Sequence, residues 1–392
     1  MELRRGREGD RAALARLGAL SFGNEVSSWE EYYDPRRNPR LDPDGVYVVE
    51  EDGAVRATAT VLPLEAYVEG RAVEMGGVAA VNTHPAYRRR GYAGALMRLV
   101  LARMREEGVH LSALWPFAHA FYRAYGWELA GESLSYRLGP AELPASPEQR
   151  RVREYRGEDL PRAMELYAEE MARHPLAVAR SEAHWRAWLR REKNAAAVYE
   201  REGRVEGYLL YEMTPWREDR EPHRTLRVHE LVARTPEARE GLLSLLAAQD
   251  PLVFGVRLNT PRGEPLHPHL DSSYVRVEVE PEFMLRLVDV EGALGLLDLA
   301  ADPPLVLEVA DDGIPENTGA YTVGEGGLAR GEEAEARVSL DVRQLAQLYA
   351  GYLPARELAR HGRVRASSPA ALELLDALFP PRDPYVSPPD RF

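Results

Sequence analysis

Residues Thr83–Leu96 read THPAYRRRGYAGAL, three arginines between a β-rich run ending at Thr83 and a helix-like run beginning near Ala93. A strand that turns tightly into a helix gathers backbone N–H groups at the helix N-terminus, where the dipole favours an anion. Small residues at Gly91, Ala93 and Gly94 let a ligand approach the main chain, and Arg88, Arg89 and Arg90 can add charge-assisted bonds. Taken alone, Arg88-x-x-Gly91-x-Ala93 describes an exposed basic turn better than an anion site. Its surroundings favour a phosphate site, because a further strand, "LSALWP", and then "FYRAYGW" (Phe121–Trp127) follow it.

Upstream, Asp10 is placed to cap a helix over "RAALARLGALSF", and "GVYVVEEDGAVRATATVLPL" forms two β-rich runs around the hairpin dipeptide Asp52-Gly53. Another hairpin arm follows Gly70, and the alternation of strands and helices predicts an α/β domain with a mixed sheet. Downstream of the proline-rich stretch "LGPAELPASPEQR", the opening repeats: "REGD" ending at Asp10 returns as "RGED" ending at Asp159, and Gly53 maps onto Gly203. The offsets, 159 − 10 = 149 and 203 − 53 = 150, point to a duplication. At the same offset Gly91 falls on Gly241, in "LVARTPEAREG", where Glu237 and Glu240 stand near the turn, so the second copy is expected to bind no anion there. From about Phe283 the pattern changes to a small α+β domain, which ends in the proline-stiffened "PPRDPYVSPPDRF", expected to be extended. The expected division is 1–143, 144–282 and 283–392.

With 392 residues, 45% hydrophobic content, a formal charge of −13 and no cysteine, the chain is expected to be globular, with no disulfide and no thiolate chemistry. No apolar run approaches the roughly 18–20 residues that cross a bilayer, and the N-terminus lacks a signal-peptide core, so a cytoplasmic location without a membrane partner is expected. The acidic balance disfavours nucleic acid as a partner. Nearly all the basic residues are arginine, Lys193 being the only lysine. His119, His267 and His269 read as loop and turn residues, and no metal site is expected.

The strand-loop-helix followed by "FYRAYGW" resembles the GCN5-related N-acetyltransferase (GNAT) superfamily. The resemblance implies acetyl-CoA as co-substrate, with its pyrophosphate on Arg88, Arg89, Arg90, Gly91, Tyr92, Ala93 and Gly94. It implies that the backbone of Val81 and Thr83 holds the pantetheine arm, and that Tyr122 is the general acid that protonates the departing thiolate, ahead of Tyr125. Over the whole chain, an active first copy, a degenerate second copy and a domain opening "FMLRLVDVEGAL" resemble the Eis (enhanced intracellular survival) acetyltransferases, whose third domain is similar to sterol carrier proteins. That resemblance implies a homo-oligomer, specifically a hexamer, and a general base supplied by the terminal carboxylate, here on Phe392. The sequence departs from the family pattern at Trp115-Pro-Phe-Ala-His119, where small residues are more usual.

Acetyl transfer by direct attack in a ternary complex suits such a site, because a thiol with a pKa near ~8.5 leaves without a covalent enzyme intermediate. For the acceptor, "SFGNEVSSWEEYYD" supplies aromatics and acids, of which Phe22, Glu25 and Trp29 are the candidate contacts for a polycationic amine such as an aminoglycoside or polyamine. An amphipathic helix with an acidic outer face explains the same stretch. Two alternatives stand beside this expectation: acetylation of a protein lysine or peptide N-terminus, and lipid carriage by the third domain with the GNAT copies as scaffold.

Overall fold

The computed structural model describes residues 1–214, 224–249, 253–272, 274–331 and 334–392. It forms two compact units, one of Met1–Gly131 with Phe283–Pro384 and Phe392, the other of Glu132–Glu282 with Tyr385–Arg391.

The first unit holds a seven-stranded sheet in the order Glu2–Arg5, Val46–Glu51, Ala54–Val68, Arg71–Thr83, Leu111–Leu114, Met284–Leu287, Glu128–Leu129. The hairpin at Asp52-Gly53 has φ of 54° and 68°, the paired positive values that a two-residue β-turn requires. Neighbouring strands are antiparallel except Arg71–Thr83 with Leu111–Leu114, which the helix Tyr92–Glu106 connects as a parallel crossover. That helix buries Leu96, Met97, Val100, Leu101 and Met104 against Ala57, Ala59, Val78 and Val81, so its three- and four-residue apolar spacing sets which face meets the sheet. A second, five-stranded mixed sheet spans Leu305 to Ala366, with the helices Val342–Tyr349 and Pro369–Leu378 among its cover.

The second unit holds its own seven-stranded sheet, from Arg276–Pro281 and Glu132–Leu138 at one side to Asn194–Arg201 and Val152–Glu154 at the other. The expected duplication is visible atom by atom. In the first unit Arg4 donates to Asp10 Oδ2 at 2.6 Å and to Glu50 at 2.7 Å, while the Arg7 N–H donates to Asp10 at 2.8 Å. In the second unit Arg153 donates to Asp159 at 2.8 Å and to Glu200 at 2.6 Å, and the Arg156 N–H donates to Asp159 at 2.7 Å. Asp10 therefore stands at the cap position of helix Arg11–Phe22, but its carboxylate bonds backward to Arg4 and Arg7 and does not cap that helix. The strand Met284–Leu287 pairs with Leu111–Leu114 and with Glu128–Leu129, and so completes the first sheet from a segment far along the chain.

Candidate active site

The central strand Arg71–Thr83 pairs with Leu111–Leu114 only from Met75↔Leu111 to Val78↔Leu114. Beyond Val78 the two strands part, and residues 79–83 keep a ladder partner on one side only, the strand Ala54–Val68. That ladder slips between Thr58 and Thr60 opposite Ala80, whose φ is 49°, the mark of a bulge. Val81 is buried in the helix-facing core and Thr83 is half-buried, so it is through backbone groups that they can serve an extended ligand at the open strand edge. Asn82 reaches back to the Ala80 carbonyl through Nδ2 at 3.1 Å, while its Oδ1 is buried without a hydrogen-bond partner.

The arginine loop makes a short turn over Pro85–Tyr87, then passes through Arg89 and Gly91 in left-handed conformation, with φ of 62° and 82°. Gly91 occupies the N-cap position of helix Tyr92–Glu106, with no side chain capping it. The N–H of Ala95 makes the first bond into the helix, to the Gly91 carbonyl at 2.9 Å, which leaves the N–H groups of Tyr92, Ala93 and Gly94 ahead of it. No atom stands within 4 Å of where a Gly91 side chain would begin. Arg88 and Arg89 are exposed and form no ion pair among the described residues. Arg90 differs: it pairs with Glu51 at 3.4 Å and lies 4.6 Å from the Tyr87 ring centroid. Tyr92 packs its ring into the core, with its hydroxyl near Glu51 and Arg90, and Ala93 is half-buried.

Tyr122 lies in the short helix His119–Arg123, 2% exposed, with its ring edge-on to Phe117 at 5.2 Å and Phe121 at 5.0 Å. Burial disfavours the phenolate and raises its pKa above the ordinary tyrosine value. Tyr125 is half-buried, and its hydroxyl occupies the space a side chain on Gly94 would need, so it stands beside the loop helix. The ring of Phe392 lies 4.8 Å from Trp115 at 80°, and its Cε2 would sit 2.9 Å from a Cβ on Gly77. Gly77 is one residue before the end of that pairing and Trp115 one residue after it, so the Phe392 ring packs against the sheet where the ladder ends. Sequence reading passed over Gly77, although the dipeptide Gly76-Gly77 inside a β-rich run is the usual sign of a close approach.

Phe22 and Trp29 stack at 5.2 Å, and Trp29 fills the space beside Gly18 and touches Tyr32 and Tyr33. Phe22 is 46% exposed and Glu25 is exposed, so this cluster presents both an apolar and an acidic face. No hydrogen bond or ring contact joins it to Tyr122 or Phe392 among the described residues. Among the described residues one group of metal-type donors occurs elsewhere: Glu170, His174 and Glu264 bring ligand atoms within 4.8 Å of one another. Its carboxylates are already met by arginines, Glu170 by Arg173 at 3.2 Å and Glu264 by Arg239 at 3.5 Å.

The corresponding crossover in the second unit is built differently. Its helix Pro236–Ala247 begins with a residue that has no N–H, and Thr235 Oγ1 caps the Ala238 N–H at 3.2 Å. Gly241 lies inside this helix against Tyr199, so the expected match to Gly91 does not hold; Tyr92 and Pro236 are the equivalent helix starts, 236 − 92 = 144 positions apart. The loop is six residues shorter than an offset of 150 requires, and the arginine run has no counterpart.

No helix among the described residues is long and apolar enough to cross a membrane. Known proteins place these features together. A profile of the acetyltransferase (GNAT) domain matches residues 2–130, a second acetyltransferase (GNAT) profile matches 176–287, and a sterol carrier protein domain profile matches 290–387. An uncharacterized N-acetyltransferase of Streptomyces avermitilis is 29% identical over 352 residues, 84% of either chain. The crystal structure of a GCN5-related N-acetyltransferase from Kribbella flavida superposes with a TM-score of 0.84 at 27% identity, over 100% of this chain and 98% of that one. Eis1 from Mycobacterium abscessus shares the fold over the full length of both chains, with a TM-score of 0.79 at 24% identity. The chain thus belongs to the GCN5-related N-acetyltransferases, as an enzyme of two acetyltransferase domains followed by a sterol carrier protein domain.

Proposed function

We propose that this chain moves the acetyl group of acetyl-CoA to a primary amine of a polycationic small molecule, by direct attack in the first domain, with the terminal carboxylate of Phe392 as general base. The placement of the Phe392 ring against Gly77 and Trp115, where the strands part, carries this reading. The pyrophosphate would lie on the N–H groups of Tyr92, Ala93 and Gly94 with Arg88 and Arg89 beside it, and the pantetheine arm along Val81 and Thr83. The amine nitrogen attacks the thioester carbon and the C–S bond breaks. The amine's proton passes to the Phe392 carboxylate, and the Tyr122 proton goes to the sulfur. Tyr122 is buried, and burial keeps its hydroxyl protonated, so that it can donate a hydrogen bond to the sulfur as negative charge develops and pass its proton there as the C–S bond breaks.

A polycationic acceptor is supported by exposed acids beside the aromatic cluster. Glu25 and Glu30 form no ion pair among the described residues, whereas Glu31 is paired with Arg37, and Asp34 with Arg11 and Arg36. Deleting Phe392, or converting its carboxylate to an amide by ligation, tests the base. The expected outcome is loss of most turnover with polyamines and aminoglycosides, with acetyl-CoA binding and melting temperature retained. An amide variant as fast as the native chain would assign the base to another group.

A further inference from the structure

The segment Tyr385–Arg391 belongs to the second unit and is held there by side chains that acetyl transfer itself does not use. Arg180, whose side chain is 0% exposed, is the centre. Its guanidinium forms two forks. Nη1 and Nη2 donate to the Glu230 carboxylate at 3.1 and 2.7 Å, and Nε and Nη2 donate to the Asp390 carboxylate at 2.7 and 2.7 Å. The same cation lies 4.1 Å from the Tyr167 ring centroid and 4.4 Å from that of Trp185.

Each carboxylate has further donors. Tyr167 Oη lies 2.7 Å from Asp390 Oδ2, Tyr208 Oη donates to Glu230 at 2.7 Å, and Ser387 Oγ donates to Glu230 as well. Arg391 bonds Glu282, which also accepts from Ser133 Oγ at 2.5 Å. Val386, Ser387 and Asp390 are buried to 1% exposure or less. Two of the last six residues of the chain, Ser387 and Asp390, thus converge on one buried ionic centre, and Phe392 follows Asp390 by two residues.

A tail that had only to be covered would bury apolar side chains. Burying an aspartate instead is costly unless a cation meets it, and planar double forks fix direction as well as distance. We propose that Arg180, through Glu230 and Asp390, is a positioning residue for acetyl transfer. It fixes the register of the tail, and with it the place of the Phe392 ring against Gly77 and Trp115. This rests on the reading that Phe392 works in the active site.

The test uses the full chain and three variants, Asp390→Asn, deletion of Phe392, and both together, with kcat from thiol release, acetyl-CoA binding by calorimetry, and melting. Asp390→Asn should lower kcat at least tenfold and leave the affinity for CoA within about twofold of native. If Asp390 acts through Phe392, its effect vanishes where Phe392 is already missing, so the double variant should be no slower than the deletion alone. Losses that multiply would show Asp390 to be structural only and overturn the proposal, as would native kcat in Asp390→Asn beside an inactive deletion. A deletion that keeps native kcat would instead defeat the reading of Phe392 and this inference with it. Should Asp390→Asn fail to fold, Ser387→Ala removes one hydroxyl from the same centre and enters the same cycle, with a smaller expected loss of several-fold in kcat.

Discussion

Three adjacent arginines meet two different surroundings. Arg90 is tied to Glu51, whereas Arg88 and Arg89 are exposed beside the uncapped helix end. Replacing Arg88 or Arg89 with alanine should weaken CoA binding by roughly 1.5 kcal/mol, about tenfold, because each would lose a charge-assisted bond to pyrophosphate. Arg90→Ala should have a much smaller effect in the same calorimetric titration. Dephospho-CoA should show the same losses, since it keeps the pyrophosphate. Tyr122→Phe should lower kcat about 10²–10⁴-fold with little change in acetyl-CoA affinity, and Tyr125→Phe should be milder. Burial places the Tyr122 pKa above the ordinary 10, so the protonated acid persists through the alkaline range, and no descending limb of kcat below pH 10 should belong to it. Stopped-flow or steady-state profiles from neutral to alkaline pH give that check.

At the scale of elements, the two domains differ where one helix begins. The helix at Tyr92 opens with free N–H groups and glycine, whereas the helix at Pro236 opens with proline, a threonine cap and Glu237 in its first turn. One CoA per chain is therefore expected by calorimetry, and two equivalent sites would contradict it. Thr235→Ala should lower the melting stability by about 1 kcal/mol through loss of the cap, without changing CoA affinity. The first loop was legible in the sequence because its signal is local: small residues, charge and helix spacing lie within a dozen positions. The duplication was legible where hairpins recur, at Gly53 and Gly203, both left-handed with φ of 68° and 75°. It misled at Gly241, because a shortened loop breaks a constant offset and a glycine can serve helix packing as readily as a turn. The tail centre was not legible at all. Arg180, Glu230 and Asp390 are separated by fifty to over two hundred positions, and only the folded backbone brings them together.

Across the molecule, buried or bonded carboxylates recur as clasps: Asp10 on Arg4, Asp159 on Arg153, Asp390 on Arg180. The first two have pKa values lowered by their arginines; for Asp390 burial pushes upward, and Arg180 outweighs it. A carboxylate with a depressed folded pKa contributes stability that is present above its unfolded value of about 3.9 and is lost as pH falls through the folded value. Melting temperature should hold steady from neutral pH to about 5 and drop below about 4, and Asp159→Asn should start lower and fall less. Another whole-molecule consequence follows from the strand Met284–Leu287, which is seated between Leu111–Leu114 and Glu128–Leu129. During synthesis that strand leaves the ribosome roughly 155–175 residues after its neighbours, a delay of about 8–35 s at ordinary elongation rates. Every strand of the other seven-stranded sheet is made between Glu132 and Pro281, before Met284 exists. Of the two seven-stranded sheets, the one begun first is therefore finished last, and its nascent strand Leu111–Leu114 waits with one unpaired edge, open to mispairing, while the later-made sheet closes ahead of it.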